Sequence, residues 1–296
     1  MSERSDRRAA LAKLREKGAA WQAAHTPMPP SDQPEVIFAT PLISKNRAFD
    51  WDVICQNLAA TVGSLRNQTS SLWRMVICGQ DKPDGITFDN HVQFLPFKTP
   101  DTETDKNALT FDKWFKIRAM TKHLSETEKG DGYLFQLDAD DILHPDLVAH
   151  ITSDNNGQGY YITQGYMVDM DSKRMGYLGP RRLRWPFAKP FNRECGSCVA
   201  ARFDFRQGPG FAEPLNARGK HKDMHENLAA YGFALEPVPF PAGLYIVNHG
   251  ENIRERRGKM DAKISYLRRN LLSAARNRDV IAAFSLDSLF ASKFSL

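Results

Sequence analysis

A chain of 296 residues, 42% hydrophobic and 25% charged, has ample material for a buried core and too ordinary a composition for a fibrous or disordered polymer. Its net charge of +5 suits an anionic partner, whether nucleotide phosphate, nucleic acid or an acidic membrane surface, and does not choose among them. No apolar run approaches the roughly 20 residues of a membrane-spanning helix, and the N-terminal stretch lacks the apolar segment of a signal peptide. The expected location is therefore the cytoplasm, with Cys55, Cys78, Cys195 and Cys198 as reduced thiols.

Residues 1–25 read as a charged amphipathic helix and 26–35 as a Pro-rich linker, so the expected division is 1–34 (helix and linker), 35–252 (catalytic core) and 253–296 (basic helical extension). Within the core, apolar β-branched runs at 35–43, 72–79 and 91–97 predict buried strands, and a fourth over 131–141 ends in acids. Residues 50–65 have helical spacing, with Val53, Ile54, Leu58, Val62 and Leu65 on one face and Asp50 placed to cap it. Residues 109–124 form a second helix, facing inward through Phe111, Phe115 and Ala119 or through Trp114, Ile117 and Met120. Alternation of this kind predicts an α/β sandwich on a mixed, largely parallel sheet. Beyond residue 141 the pattern gives a short helix at 144–152, strands at 160–170 and 175–179 joined antiparallel at Asp171–Arg174, and a strand at 196–204. A helix over 220–233 stopped by Gly232 and a last strand at 244–252 complete the core.

Ligand sites of open α/β sheets lie beyond the carboxyl ends of the strands, which is where Leu137-Asp138-Ala139-Asp140-Asp141 falls. On a strand, Asp138 and Asp140 would point to one side and offer hard oxygen ligands to Mg²⁺ or Mn²⁺. A cation held there can bridge the phosphates of a nucleoside diphosphate and stabilise charge on a leaving group. The same string also serves in other proteins as a solvated turn, and the apolar strand running straight into it favours the metal site.

The segment YLFQLDADDIL (133–143) resembles the metal-binding segment of glycosyltransferases with the GT-A fold, especially family-2-like enzymes, and within them rhamnosyltransferases. The order of elements agrees over residues 35–250: VIFATPLI as first strand, then a helix, then RMVICGQDKPDG (74–85) where such enzymes carry a strand and an acidic turn. DKWFKIRAM (112–120) stands where they have a basic helix that binds the donor. The resemblance implies a GT-A-like three-layer α/β/α sandwich with a helical C-terminal tail. It also implies transfer of a sugar from a nucleotide-sugar donor to a saccharide or lipid-linked hydroxyl acceptor in surface polysaccharide or glycoconjugate synthesis. It places the nucleoside near Thr40, Pro41 and Asp81, the diphosphate near Lys113 or Arg118 and Asp138, and a Mn²⁺ or Mg²⁺ ion on Asp138, Asp140 and His249.

The family's catalytic base sits at a helix start, and here that position departs from the pattern: Asp223 or His221 could take the acceptor proton, with Asp223 preferred on family chemistry. For each of these residues an ordinary structural role competes: a solvated helix terminus, a turn-forming Asp81, a His249 in a plain turn. Cys195-Gly-Ser-Cys198 reads as structural thiols rather than half a zinc site, for lack of a second pair, and the segment Asn192–Cys198 resembles the acceptor-side loop of the transferase fold. Arg254, Arg256, Arg257, Lys259, Lys263, Arg268 and Arg269 could touch an anionic membrane from its inner face. No nucleic-acid motif is present, and none of that partner class is expected. The rivals are a non-catalytic carbohydrate- or nucleotide-binding module on the same fold, and a nucleotidyltransferase, although TPLISKNR (40–47) is not the Gly-rich phosphate loop that such an enzyme needs. A dehalogenase-like phosphatase ranks below both, because Asp141 replaces its Thr or Val.

Overall fold

The first strand, β1 (Glu35–Pro41), has no polar face: Val36 through Thr40 are fully buried, as a strand covered on both sides requires. It lies at the centre of a parallel set with β2 (Trp73–Gly79), β3 (Val92–Pro96) and β4 (Asp131–Gln136), Val36 standing opposite both Trp73 and Tyr133. The computed structural model describes residues 3–98, 108–252, 255, 258 and 260–286. The short strand β5 (Ile142–Leu143) follows the acids, and β6 (Gly159–Tyr161), β7 (Gly165–Asp169), β8 (Arg174–Leu178), β9 (Val199–Asp204), β10 (Glu236–Pro237) and β11 (Gly243–Val247) complete the strands. They form a mixed seven-stranded sheet of order β10-β6-β9-β4-β1-β2-β3 and a four-stranded sheet of order β5-β11-β7-β8. The protein is thus an α/β fold in which β9 runs antiparallel between β4 and β6.

The helices are α1 (Glu3–Ala24), α2 (Trp51–Arg66), α3 (Ala108–Thr127), α4 (Leu147–Asp154), α5 (Phe191–Glu194), α6 (Ala212–Asn216), α7 (Met224–Ala230), α8 (Asp261–Arg269) and α9 (Ala274–Ala283). Asp50 caps α2 as expected, its carboxylate accepting from the N–H groups of Asp52 and Val53. No helix among the described residues is long and apolar enough to cross a membrane.

Several expectations are corrected. The strand expected over 160–170 is two strands in different sheets, β6 and β7; periodicity shows burial but not the change of sheet. The hairpin of β7 and β8 does form, with the Asp169 carboxylate accepting from the N–H groups of Asp171 and Ser172 at its turn. The helix expected over 220–233 is regular only over Met224–Ala230, and Gly232 ends it in the left-handed region at φ 89°.

Of the two faces expected of α3, the one with Ile117 and Met120 packs against the core, although Trp114 is partly exposed. Phe111 and Phe115 are about half exposed, at 48% and 49%, whereas Met120, Leu124 and Lys116 are buried. Lys116 tolerates burial because its ammonium donates to the Leu42 carbonyl at 2.6 Å and to Asp112 Oδ2 at 2.5 Å.

The expected N-terminal piece is joined to the core. Trp21 is buried, donates from Nε1 to the Gly210 carbonyl at 2.9 Å, and meets the rings of Phe211, Tyr231 and Phe233 edge-on or tilted. A Cβ on Gly18 would stand 2.0 Å from the Ala230 carbonyl oxygen, so α1 crosses the end of α7 where only glycine fits. The linker is stitched down as well: Asp131 accepts from the Ser31 N–H, and Arg202 and Arg206 donate to the carbonyls of Met28 and Pro29.

Candidate functional site

One cleft of about 440 Å³ opens beyond the carboxyl ends of β1 and β4, the position that chain topology favours for ligands. The acids reach it by a route other than the one expected. Regular strand ends at Gln136, and Asp138 and Asp140 lie in a turn closed by the Asp141 N–H donating to the Asp138 carbonyl at 3.3 Å. The turn, not strand alternation, brings the carboxylates together: Asp138, Asp140 and Asp141 each offer an oxygen within 4.8 Å of the others.

These three acids do different work. Asp141 is buried, and both of its oxygens are taken: Oδ2 accepts from Ser197 Oγ at 2.6 Å and Cys195 Sγ at 3.1 Å, and Oδ1 from the Ile246 N–H at 3.3 Å. Burial, and then the charges of Asp140 and Asp138, push its carboxyl well above the usual range. Asp141 therefore braces the turn, and Ser197 joins in by accepting from the Asp138 N–H at 2.9 Å. Asp138 and Asp140 face the cleft with about a quarter of each side chain exposed. Lys113, from α3, donates to Asp138 Oδ1 at 2.5 Å. Burial alone would lower its pKa, but Asp138, with Asp140 and Asp141, raises it, so the ammonium stays charged.

His249 follows β11 and lines the same cleft, its Nε2 2.8 Å from Asp140 Oδ2. It stands outside the 4.8 Å group and joins it through Asp140. Its Nδ1 is 3.0 Å from Asn57 Nδ2 on α2. The Glu251 N–H also meets Nδ1, at 3.4 Å, and an N–H can only donate, so Nδ1 accepts here and Nε2 carries the proton toward Asp140. A metal on Nε2 would displace that proton to Nδ1, with the Asn57 amide turned to accept it. Burial opposes charge on His249, but the hydrogen bond and charge of Asp140, with Glu255 and Glu251 further off, outweigh it and raise its pKa. Two partly open carboxylates and an imidazole held by a second residue make a donor set of hard oxygens and one nitrogen that suits Mn²⁺ or Mg²⁺.

Of the two candidate bases, only His221 lines the cleft. Its Nδ1 is 3.0 Å from the Asn192 carbonyl; a carbonyl can only accept, so Nδ1 carries the proton and the lone pair is on Nε2. Asp223 begins α7 and turns to α1, its Oδ1 accepting from Arg7 Nη2 at 3.0 Å. The order preferred from family chemistry is thus the reverse of what the geometry favours.

The expected nucleoside residues divide similarly. Pro41 lines the cleft, and Thr40 is buried beside it with its hydroxyl unpartnered. Asp81 accepts from the Lys45 N–H at 2.7 Å, tying the loop after β2 to the one after β1, and is not part of the lining. Arg118 lines a separate, smaller pocket.

Glu194, Gly196 and Glu251 also line the cleft, as does Asn57, which was not singled out from the sequence. Gly196 is so close that a Cβ there would stand 3.3 Å from Asp138 Oδ2. The signals for that stretch were the Cys195–Cys198 spacing and the resemblance of residues 192–198 to an acceptor-side loop. Both thiols are buried and free, and burial followed by the neighbouring acids pushes each upward, so they stay protonated, as a structural role requires. Lys263, expected on the solvated basic face, is buried and pairs with Glu194. Arg268 and Arg269 are exposed, and Arg254, Arg256, Arg257 and Lys259 lie outside the described residues.

No protein-family model matches this chain, and no curated protein matches its sequence.

Proposed function

We propose that the cleft is the active site of a metal-dependent glycosyltransferase with a GT-A-like arrangement, moving a sugar such as rhamnose from a nucleotide-sugar donor to an acceptor hydroxyl. The observation that carries the reading is the joint placement of Asp138, Asp140, His249, Lys113 and His221 around one cleft at the carboxyl end of the sheet. Asp138 and Asp140, completed by His249, would hold Mn²⁺ or Mg²⁺; when bound, the ion supplies Lewis-acid stabilisation of the diphosphate leaving group.

The chain's own residues do the rest. Lys113 carries a fixed positive charge beside Asp138, where a donor phosphate can exchange for the carboxylate as its partner. Pro41, Leu42 and Ile43 give the cleft an apolar wall after β1 against which a nucleoside can pack. His221 Nε2 accepts the proton of the acceptor hydroxyl; the acceptor oxygen bonds to the anomeric carbon as that carbon's bond to the phosphate oxygen breaks. The electron pair leaves on the nucleoside diphosphate, and a single displacement inverts configuration. Acceptors of the saccharide or lipid-linked class fit this chemistry, and the exposed Arg268 and Arg269 suit contact with an anionic membrane.

The test is a transfer assay over a panel of sugar nucleotides with Mn²⁺ and mixed saccharide acceptors. Release of nucleoside diphosphate together with a glycosylated product supports the proposal. Retention of every donor intact in the presence of acceptor and metal counts against it.

A further inference from the structure

A second pocket lies on the far side of α3, between that helix and the loop after α6. Its wall includes Trp114 and Arg118 from α3, Gln136 from the end of β4, Asn216 from the end of α6 and Arg218 from the loop after it. Arg218 is 97% buried by its 3% exposure. Its Nε donates to the Leu215 carbonyl at 2.8 Å, whereas Nη1 and Nη2 are buried with no partner. A guanidinium in this state is unusual, because removing a cation and its N–H groups from water is costly without an acceptor. The loop is not slack: Asn227 Nδ2 donates to the carbonyls of both Ala217 and Arg218 at 3.1 Å. Arg218 is therefore held in place with four of its five N–H donors unused. Desolvation pushes it down to about 10, the direction expected of a cation lacking a counter-charge.

The surroundings indicate what the missing partner is. Arg118 brings a second guanidinium to the same wall, and no acidic side chain lines the pocket among the described residues. Asn216 lines it too, with Oδ1 buried and unpartnered; turning the amide would present N–H instead. The space is about 30 Å³, room for about two waters. That fits the oxygens of one carboxylate or one face of a phosphate and excludes a sugar ring.

We propose that the pocket between Arg218 and Arg118 binds a single oxyanion, a carboxylate or phosphate-ester group of a larger ligand. Planar guanidinium forks bind such groups through paired hydrogen bonds.

The experiment is isothermal titration of the full chain, at constant ionic strength, with methyl glucuronide, glycerol 3-phosphate and neutral methyl glucoside. Saturable binding of either anion, and not of the glucoside, is expected, and the anion that binds identifies the source. Arg118→Gln, a surface change, should weaken it about ten- to a hundred-fold, and Arg218→Lys should weaken it similarly by removing the fork. Asp138→Asn should leave it unchanged, since Asp138 belongs to the other cleft. Absence of anion binding in the wild type, equal binding in Arg118→Gln, or loss in Asp138→Asn would each overturn the proposal. Failure of nucleotide and Mn²⁺ binding would instead count against the transferase reading and leave this pocket standing.

Discussion

Substituting asparagine for His221 in one variant and for Asp223 in another asks which side chain takes the acceptor proton. Asp223 is held at the surface by Arg7, with side chains 23% and 57% exposed; an ion pair of that kind is worth about 0–1 kcal/mol. Asp223→Asn should therefore lower stability slightly and leave turnover unchanged. His221 lines the cleft with its tautomer set by the Asn192 carbonyl, and removing a general base costs about 10²–10⁴-fold in rate, or roughly 3–5 kcal/mol of barrier. The loss should fall on kcat, because Lys113, Asp138 and Asp140 remain to bind the donor. The assay is initial-rate transfer with kcat and KM separated, alongside thermal melts to verify folding. A hundred-fold loss in a well-folded Asp223→Asn, with His221→Asn staying within about threefold of wild type, would refute the assignment.

Other consequences follow from the same contacts. Trp21→Ala should cost about 3–5 kcal/mol in urea unfolding and expose α1 to proteolysis; a change below about 1 kcal/mol would mean that α1 is not part of the core. Ser197→Ala removes the hydroxyl shared by Asp141 and the Asp138 N–H, and should cost about 1–3 kcal/mol while weakening Mn²⁺ binding measured by calorimetry; unaltered metal affinity would show that the turn needs no brace. Burial would raise Glu194, but Lys263 and then Lys189 hold its carboxyl below its ordinary value of 4.5. The stability from that depression is present above 4.5 and lost as pH falls through the lower folded value. Glu194→Gln should thus lose less stability than wild type between pH 6 and pH 3, read from urea midpoints; parallel curves would contradict the pairing.

What could be read before folding was whatever depends on local pattern. The runs at 35–43 and 72–79 are strands because buried parallel strands must be apolar throughout, and Asp50 caps α2 because an aspartate before an apolar helix face has that use. Patterns of this kind carry no tertiary destination. They could not show that 160–170 divides between two sheets, or that Lys116 is buried while Phe111 and Phe115 are exposed, since burying the ammonium depends on a carbonyl 74 residues earlier in the chain. The acid cluster was legible as a strand end running into carboxylates, but the reason given, strand alternation, was replaced by a turn braced by Asp141 and Ser197. Asn57 and Arg218 left no local signal, because each acquires its role from partners or a pocket that only the fold assembles. The choice of His221 over Asp223 similarly depends on Arg7, more than 200 residues away.

The central claim is that Asp138, Asp140 and His249 hold a divalent cation for a nucleotide donor. Thermal shift with Mn²⁺ and a panel of nucleoside diphosphates, on wild type and Asp140→Ala, tests it most directly. The account predicts a melting temperature raised by metal and one nucleotide together, beyond either alone, and lost in the variant; binding at 100 times Kd corresponds to about 2.7 kcal/mol. An equal shift in Asp140→Ala, or no shift with any metal and nucleotide pair, would contradict it.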